Sequence, residues 1–315
     1  MSNIRLGIIG AGFIAHEHLK VIQQMVGVDA VGITSRTNSK AEYLAKRYSV
    51  ENVYNNIDDL INKCTPDALM ILVSANQIFE VTKKLITANI PLFLEKPPGI
   101  VPEQTKTLVE LADMHGTKTM VGFNRRYYSI FQKGIELINQ NGDLLGVAVE
   151  GHERFWNIAD RDMPNGIKEN WIYANSTHTI DLLHFFGGEI KSINTLSNSL
   201  NEKNGDQFTA AIEFESGALG TYTSHWFSPG GWSATLYGDG ITVKFNPLEK
   251  GIWFDTDLNE KEILPDEVDL KFKPGFYRQM ESFIDMVGKG CLNLPGMELG
   301  DALETMLLAQ KFVNA

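Results

Sequence analysis

Leu6-Gly7-Ile8-Ile9-Gly10-Ala11-Gly12-Phe13-Ile14-Ala15 is the stretch on which the fold turns. An apolar strand runs into G-x-G-x-x-A and then into a helix. Gly10 permits a tight turn, Gly12 lets the backbone approach a pyrophosphate, and small Ala15 lets the helix pack close to the strand. The anion would rest on the helix N-terminus, where Phe13 and Ile14 begin the first turn. A structural glycine turn would give the same letters, so the surrounding pattern has to decide.

Outward from that turn, short β-rich apolar runs alternate with amphipathic stretches: residues 5–9 then 13–25, 30–34 then 39–48, 68–73 then 79–88, 91–94 then 103–114, and finally 119–121. Strand and helix repeated in this way predict a parallel sheet covered on both faces, a doubly wound α/β Rossmann domain over residues 1–123 that binds a dinucleotide. After Asn124 the rhythm changes. A helix-like segment at 128–138 is followed by alternating runs at 146–153, 207–214, 218–226 and 234–245, with turn signals at Glu215-Ser216-Gly217 and Gly238-Asp239-Gly240. This predicts an α+β domain over 124–315 with a mainly antiparallel open sheet. Its last helix, 297–313, would pack back near the junction.

The 315 residues suit two domains, and 43% hydrophobic with 21% charged residues is an ordinary globular composition. A net charge of −11 argues against nucleic-acid and anionic membrane-surface partners. No apolar stretch approaches the roughly 20 residues of a membrane span, and the apolar N-terminus reads as a first strand rather than a signal peptide. Cys64 and Cys291 form no CxxC pair, which fits a reducing, cytoplasmic setting and no cysteine zinc site. His152 beside Glu153 lacks a spaced third ligand, so no metal is expected.

At the end of the second strand, where NAD binders usually place a carboxylate for the ribose 2′-hydroxyl, this chain reads Gly32-Ile33-Thr34-Ser35-Arg36-Thr37-Asn38-Ser39-Lys40. Ser35, Arg36 and Lys40 would instead surround a 2′-phosphate, which favours NADP(H) over NAD(H). The other reading is a solvated helix start. Further on, Glu95-Lys96-Pro97 puts a lysine at the carboxyl end of a buried parallel strand, where open α/β sheets bind ligands. Such a lysine can favour alkoxide character on a substrate oxygen. Standing alone, the tripeptide reads more simply as an exposed strand end.

Taken together, the glycine turn and Glu95-Lys96-Pro97 resemble the Gfo/Idh/MocA oxidoreductase family, named for glucose–fructose oxidoreductase and inositol dehydrogenase. Val73-Ser74-Ala75-Asn76 is similar to the family's loop beside the nicotinamide ribose, and Gly122-Phe123-Asn124-Arg125-Arg126-Tyr127 to its interdomain crossing. The resemblance implies NAD(P)-dependent oxidation or reduction of a sugar, cyclitol or sugar-nucleotide carbon. It puts Ser74, Asn76, Glu95 and Lys96 near the cofactor, Lys96 near the reacting oxygen, and a cis bond between Lys96 and Pro97. It also implies a homo-oligomer, a dimer or tetramer.

The family's third signature is an aspartate four residues before a histidine that opens a helix. Here Tyr173-Ala174-Asn175-Ser176-Thr177-His178 keeps the histidine and replaces the aspartate with Ala174. Proton transfer then falls to Lys96 and His178, alone or with a substitute. Asn175 or Ser176 is a candidate N-cap, which would place His178 in the first helical turn and favour its neutral form. Asp181, three residues on, could steady the ring or be a surface carboxylate. Asn124, Arg154, Trp156, Trp171, Tyr173 and Asn175 are candidate substrate contacts, with aromatic faces for sugar C–H surfaces and polar groups for hydroxyls. His16, His18 and His184 read as helix-face histidines without chemistry. Two alternatives stay open: net non-redox chemistry through transient oxidation, such as glycoside cleavage, and a catalytically inactive dinucleotide sensor.

Overall fold

The computed structural model describes residues 3–315. The chain forms two compact units, one taking in the chain up to Asn124 together with Lys271–Leu303, the other Arg125–Leu270 with Glu304–Ala315. The expected single division after residue 123 therefore misplaces one segment. Helix Phe276–Lys289 buries Phe276, Met280, Phe283 and Met286, with the Phe283 ring 5.4 Å from Phe93 of the first unit. Met297, Leu299 and Ala302 likewise join the first core. Helical periodicity announces a buried face but not its partner.

In the first unit, β1 (Ile4–Ile9), β2 (Val28–Thr34), β3 (Asn52–Tyr54), β4 (Ala68–Ile71), β5 (Leu92–Leu94) and β6 (Thr119–Val121) make a parallel sheet of order β3-β2-β1-β4-β5-β6. β4, β5 and β6 are buried at every position, because helices cover both faces and leave no polar side for alternation. Helix starts and stops follow local chemistry. The Asn56 side chain accepts from the Asp59 N–H at 2.8 Å to cap Ile57–Cys64. Pro102 opens the helix Pro102–His115, and Gly116, at φ +65°, closes it.

The register aligns Thr34, Ile9, Ile71, Leu94 and Val121 in one row across the sheet. Everything that follows these residues in sequence therefore emerges along one edge, the carboxyl edge, and strand order reverses between β1 and β4. That reversal is where doubly wound sheets open a ligand crevice.

The second unit holds β7 (Leu144–Gly151), β8 (Ile190–Asn198), β9 (Gln207–Phe214), β10 (Leu219–His225), β11 (Trp232–Gly238), β12 (Ile241–Phe245), β13 (Gly251–Phe254) and β14 (Glu260–Ile263). They form one sheet of order β14-β13-β12-β11-β7-β10-β9-β8, antiparallel except where β7 meets β10. Burial alternates along β9 and β10, as in a sheet with one covered face. The two expected turns join β9 to β10 through Gly217 at φ +87° and β11 to β12 through Asp239-Gly240, with Gly240 at φ +66°. One side of the core is an aromatic group of Phe131, Phe186 and Phe245.

The last helix, Leu299–Val313, starts two residues later than expected. It is divided between the units. Its first turns belong to the first core, while Phe312 packs on Tyr222 and Phe208 of the second.

Candidate active site

The glycine turn is stapled into the first sheet on both sides: the Gly10 N–H donates to the Thr34 carbonyl and the Leu72 N–H to the Ile9 carbonyl, both at 2.8 Å. Gly10 sits at φ +115°, and a β-carbon there would collide with the Leu72 carbonyl. Gly12 differs. It is the N-cap of helix Phe13–Ile22 with no side-chain cap and no acidic residue in the first turn, and a β-carbon on it would meet nothing within 4 Å. An uncapped helix N-terminus facing open space, bordered by glycine backbone, is a cradle that fits a pyrophosphate. Ala15 is fully buried beneath it, while Phe13 is 72% exposed, its ring 5.9 Å from the Lys273 ammonium.

Ser35 follows β2 half-buried, and Arg36 and Lys40 are exposed. No carboxylate intervenes between Thr34 and Arg36, so the donor set there fits a 2′-phosphate. After β4, Ser74 donates to Asn76 Oδ1 at 2.9 Å at the start of helix Ala75–Leu85. After β5 come Glu95, buried, and Lys96, half-buried, with Lys96–Pro97 cis. All of these lie on the carboxyl edge.

Glu95 does not face outward: its Oε1 lies 2.7 Å from His18 Nε2. His18 is therefore no idle helix-face histidine. Its ring is fully buried, 5.0 Å from Phe93 and 4.7 Å from Phe276. His16 is also engaged, its Nδ1 2.5 Å from the Tyr48 hydroxyl. Burial, with the Lys20 and Arg47 cations, pushes its pKa below the usual histidine value. Asn124 spends its amide donating to the Pro274 carbonyl at 3.0 Å. That is a structural bond in the first unit.

In the second unit the expected helix start near Asn175 is absent. Residues Ile172–Ser176 wind as a π-helix that continues directly into the α-helix Thr177–Gly187. Ser176 makes no side-chain cap, and His178 has a full helical turn before it, so the argument from a helix N-terminus does not apply to it. Ser and Asn there are not caps because their side chains are drawn elsewhere: Ser176 Oγ and Asn175 Nδ2 both donate to Glu153, each at 2.6 Å. Nor does Asp181 steady the imidazole. It accepts two bonds from Arg126, at 2.8 and 2.7 Å, and one from Thr305 at 3.1 Å. His178 is buried, its ring 5.8 Å from that of Trp232.

A cavity of about 430 Å³ opens in this unit, lined by Arg125, His152, Glu153, Arg154, Asn175 and Trp232 among others. Of the expected substrate contacts, Arg154 and Asn175 lie on its wall. Arg154 is exposed, in the left-handed region at φ +49°. Trp171 is buried and donates to Glu153 at 3.0 Å; Tyr173 is buried; Trp156 is 41% exposed outside the cavity lining. Arg125, stacked 4.5 Å over Trp232, belongs to the wall and is not among the expected contacts. In the sequence Arg125 stands only within the segment 122–127 that resembles the family's interdomain crossing, and nothing there pairs it with Trp232. Among the described residues no group of three or more His, Cys, Asp or Glu is arranged to hold a metal, and no helix is long and apolar enough to cross a membrane.

Residues 4–123 match the family model described as the oxidoreductase family with an NAD-binding Rossmann fold, and residues 147–244 match that of the GFO/IDH/MocA C-terminal domain. The chain belongs to the Gfo/Idh/MocA oxidoreductase family. Inositol 2-dehydrogenase of Salmonella typhimurium is 26% identical over 189 residues, covering 59% of this chain and 55% of that protein. The chain spans about half the length of the curated relatives it matches. An oxidoreductase of Thermotoga maritima has a TM-score of 0.81 at 22% identity, covering 99% of this chain and 96% of the other. UDP-N-acetylglucosamine 3-dehydrogenase of Acidithiobacillus ferrooxidans has 0.79 at 14%, covering 100% and 98%. At those identities the likeness is of fold.

Proposed function

We propose that the protein is an NADP(H)-dependent oxidoreductase acting on a CH–OH carbon of a sugar, cyclitol or related polyol. The observation that carries this is the carboxyl edge of the first sheet, where the open cradle at Gly12, the hydroxyl and cations after β2, and Lys96 after β5 all follow strand ends aligned along that one edge. The nicotinamide, when bound, supplies or accepts the hydride. Gly12 and the first turn of the following helix hold the pyrophosphate, and Ser35, Arg36 and Lys40 hold the 2′-phosphate. Ser74 and Asn76 serve the nicotinamide ribose. Lys96 keeps its charge against the substrate oxygen and favours alkoxide character there, while His178 carries the proton. Arg154 and Asn175 contact substrate hydroxyls from the cavity wall. Names of relatives, inositol 2-dehydrogenase and UDP-N-acetylglucosamine 3-dehydrogenase, support a hydroxyl-rich substrate.

The test is titration of NADPH and NADH into the purified protein, followed by a screen of polyols and keto-sugars with both. Binding of neither dinucleotide overturns the reading. Where turnover is found, Lys96→Ala is expected to abolish it and leave dinucleotide affinity within a few-fold; loss of binding instead would remove the role given to Lys96.

A further inference from the structure

β7 ends at Gly151, and two residues later Glu153 is buried with only 7% of its surface exposed. A buried carboxylate is costly unless donors surround it. Here Oε2 accepts from Trp171 Nε1 at 3.0 Å and from Asn175 Nδ2 at 2.6 Å, and Oε1 accepts from Ser176 Oγ at 2.6 Å. The three donors bracket the π-helical stretch Ile172–Ser176. In that stretch the Thr177 N–H reaches back five residues to the Ile172 carbonyl. The Thr177 hydroxyl donates to the Tyr173 carbonyl at 2.9 Å and the Thr179 hydroxyl to the Ser176 carbonyl at 3.0 Å.

A π turn holds one more residue than an α turn, so every side chain beyond it is rotated by about one residue, roughly 100°, from where an unbroken α-helix would point it. His178 is the second residue of the α-helical run that follows. Its placement 5.8 Å from the Trp232 ring is therefore set by the π turn, and the π turn is gripped by Glu153.

We propose that Glu153 is the positioning residue for His178. Its carboxylate fixes the extra residue in the helix and so aims the imidazole beside the cavity wall, an orienting task for which Ala174 offers no functional group. The grip itself is independent of what the protein catalyses; its catalytic consequence rests on the reading of His178 as the proton carrier.

The grip needs acceptors more than charge. Glutamine can satisfy it, its oxygen accepting from Trp171 and Asn175 while its amide donates to Ser176 Oγ, whose hydroxyl can reverse its role. The experiment follows the His178 ring by NMR of histidine-labelled protein, the signal being assigned from its absence in His178→Gln. In wild type, Trp232→Leu should move that signal by removing the ring current. In Glu153→Ala the His178 shift should already be displaced, with Trp232→Leu adding little, and Glu153→Gln should restore it. With myo-inositol as first substrate, or whichever polyol is turned over, kcat should fall about 100-fold in Glu153→Ala with dinucleotide affinity unchanged, and recover in Glu153→Gln. An unmoved His178 signal in Glu153→Ala, or equal losses in both variants, overturns the proposal. If Glu153→Ala does not fold, Ser176→Ala and Asn175→Ala, each deleting one grip, must displace the signal in part. Failure of the wild type to bind NADPH or NADH would sink the oxidoreductase reading, while the NMR shifts would still decide whether Glu153 positions His178.

Discussion

His18 and Glu95 meet in the interior of the first unit, Nε2 2.7 Å from Oε1, although 77 residues separate them. The histidine belongs to the helix that follows the glycine turn, and the glutamate immediately precedes Lys96. The ring lies between Phe93 and Phe276, an apolar setting in which a carboxylate without its donor would be expensive. His18→Phe would fill the space and remove the donor. It should cost about 1–3 kcal/mol in urea unfolding, whereas Glu95→Gln, which can still accept from Nε2, should cost less. Equal stability of His18→Phe and wild type would show that the bond contributes nothing.

The two glycines of the turn should respond oppositely. At Gly10 an alanine meets the Leu72 carbonyl in a left-handed backbone, so Gly10→Ala should yield little folded protein. At Gly12 the space is open and φ is −88°, so Gly12→Ala should fold with stability near wild type and lose at least tenfold in dinucleotide affinity by isothermal titration, because its methyl enters the cradle. Retained affinity in Gly12→Ala would mean that no pyrophosphate sits there.

Arg36 separates the two nicotinamide cofactors. If it holds a 2′-phosphate, Arg36→Ala should weaken NADPH by about 1.5–3 kcal/mol, the worth of a hydrogen bond to a charged group, and leave NADH unaltered. Equal affinities for both cofactors in wild type would make Arg36 a solvated surface residue and the cofactor NAD(H).

Much of this fold is legible in the sequence because its signals are local. The alternation up to Val121, the G-x-G-x-x-A turn and the Asp239-Gly240 hairpin each depend on residues adjacent in sequence. What escapes depends on distance along the chain. Residues 271–303 carry an amphipathic pattern that fits either unit, and only their packing decides between them, with Phe283 on Phe93 and Met297, Leu299 and Ala302 in the first core. His18 looks idle in sequence because its partner lies in β5's exit and part of its apolar box comes from Phe276. The start of the His178 helix is misplaced by local reasoning because Asn175 and Ser176 are good caps by composition, yet Glu153 takes both side chains and the helix runs through them as a π turn. The cavity wall is half visible: residue type and position single out Arg154 and Asn175 but not Arg125 and Trp232, since a cation stacked on a ring leaves no spacing to read.

Alkaline titration offers a test of the second core. Tyr128 is buried between Arg125, Glu249 and Asp269, and its hydroxyl donates to Glu249 at 3.3 Å. Burial above all pushes its pKa up to about 12, from an ordinary value of 10.0. Because the folded value is the higher one, the native state keeps this proton where the unfolded chain has lost it. The contribution is complete below pH 10 and is lost as pH climbs toward 12, amounting to roughly 2–3 kcal/mol once both states are ionised. Urea unfolding of wild type across pH 9 to 12 should therefore steepen downward, and Tyr128→Phe should remove about one proton's worth of that slope. Tyr222, also buried and pushed upward, contributes to the residual slope together with other groups raised in the folded state, Tyr54 and Cys64 among them, so Tyr128→Phe flattens the curve without abolishing it. An unchanged slope in Tyr128→Phe would mean that the hydroxyl ionises in the folded protein as readily as in the unfolded chain.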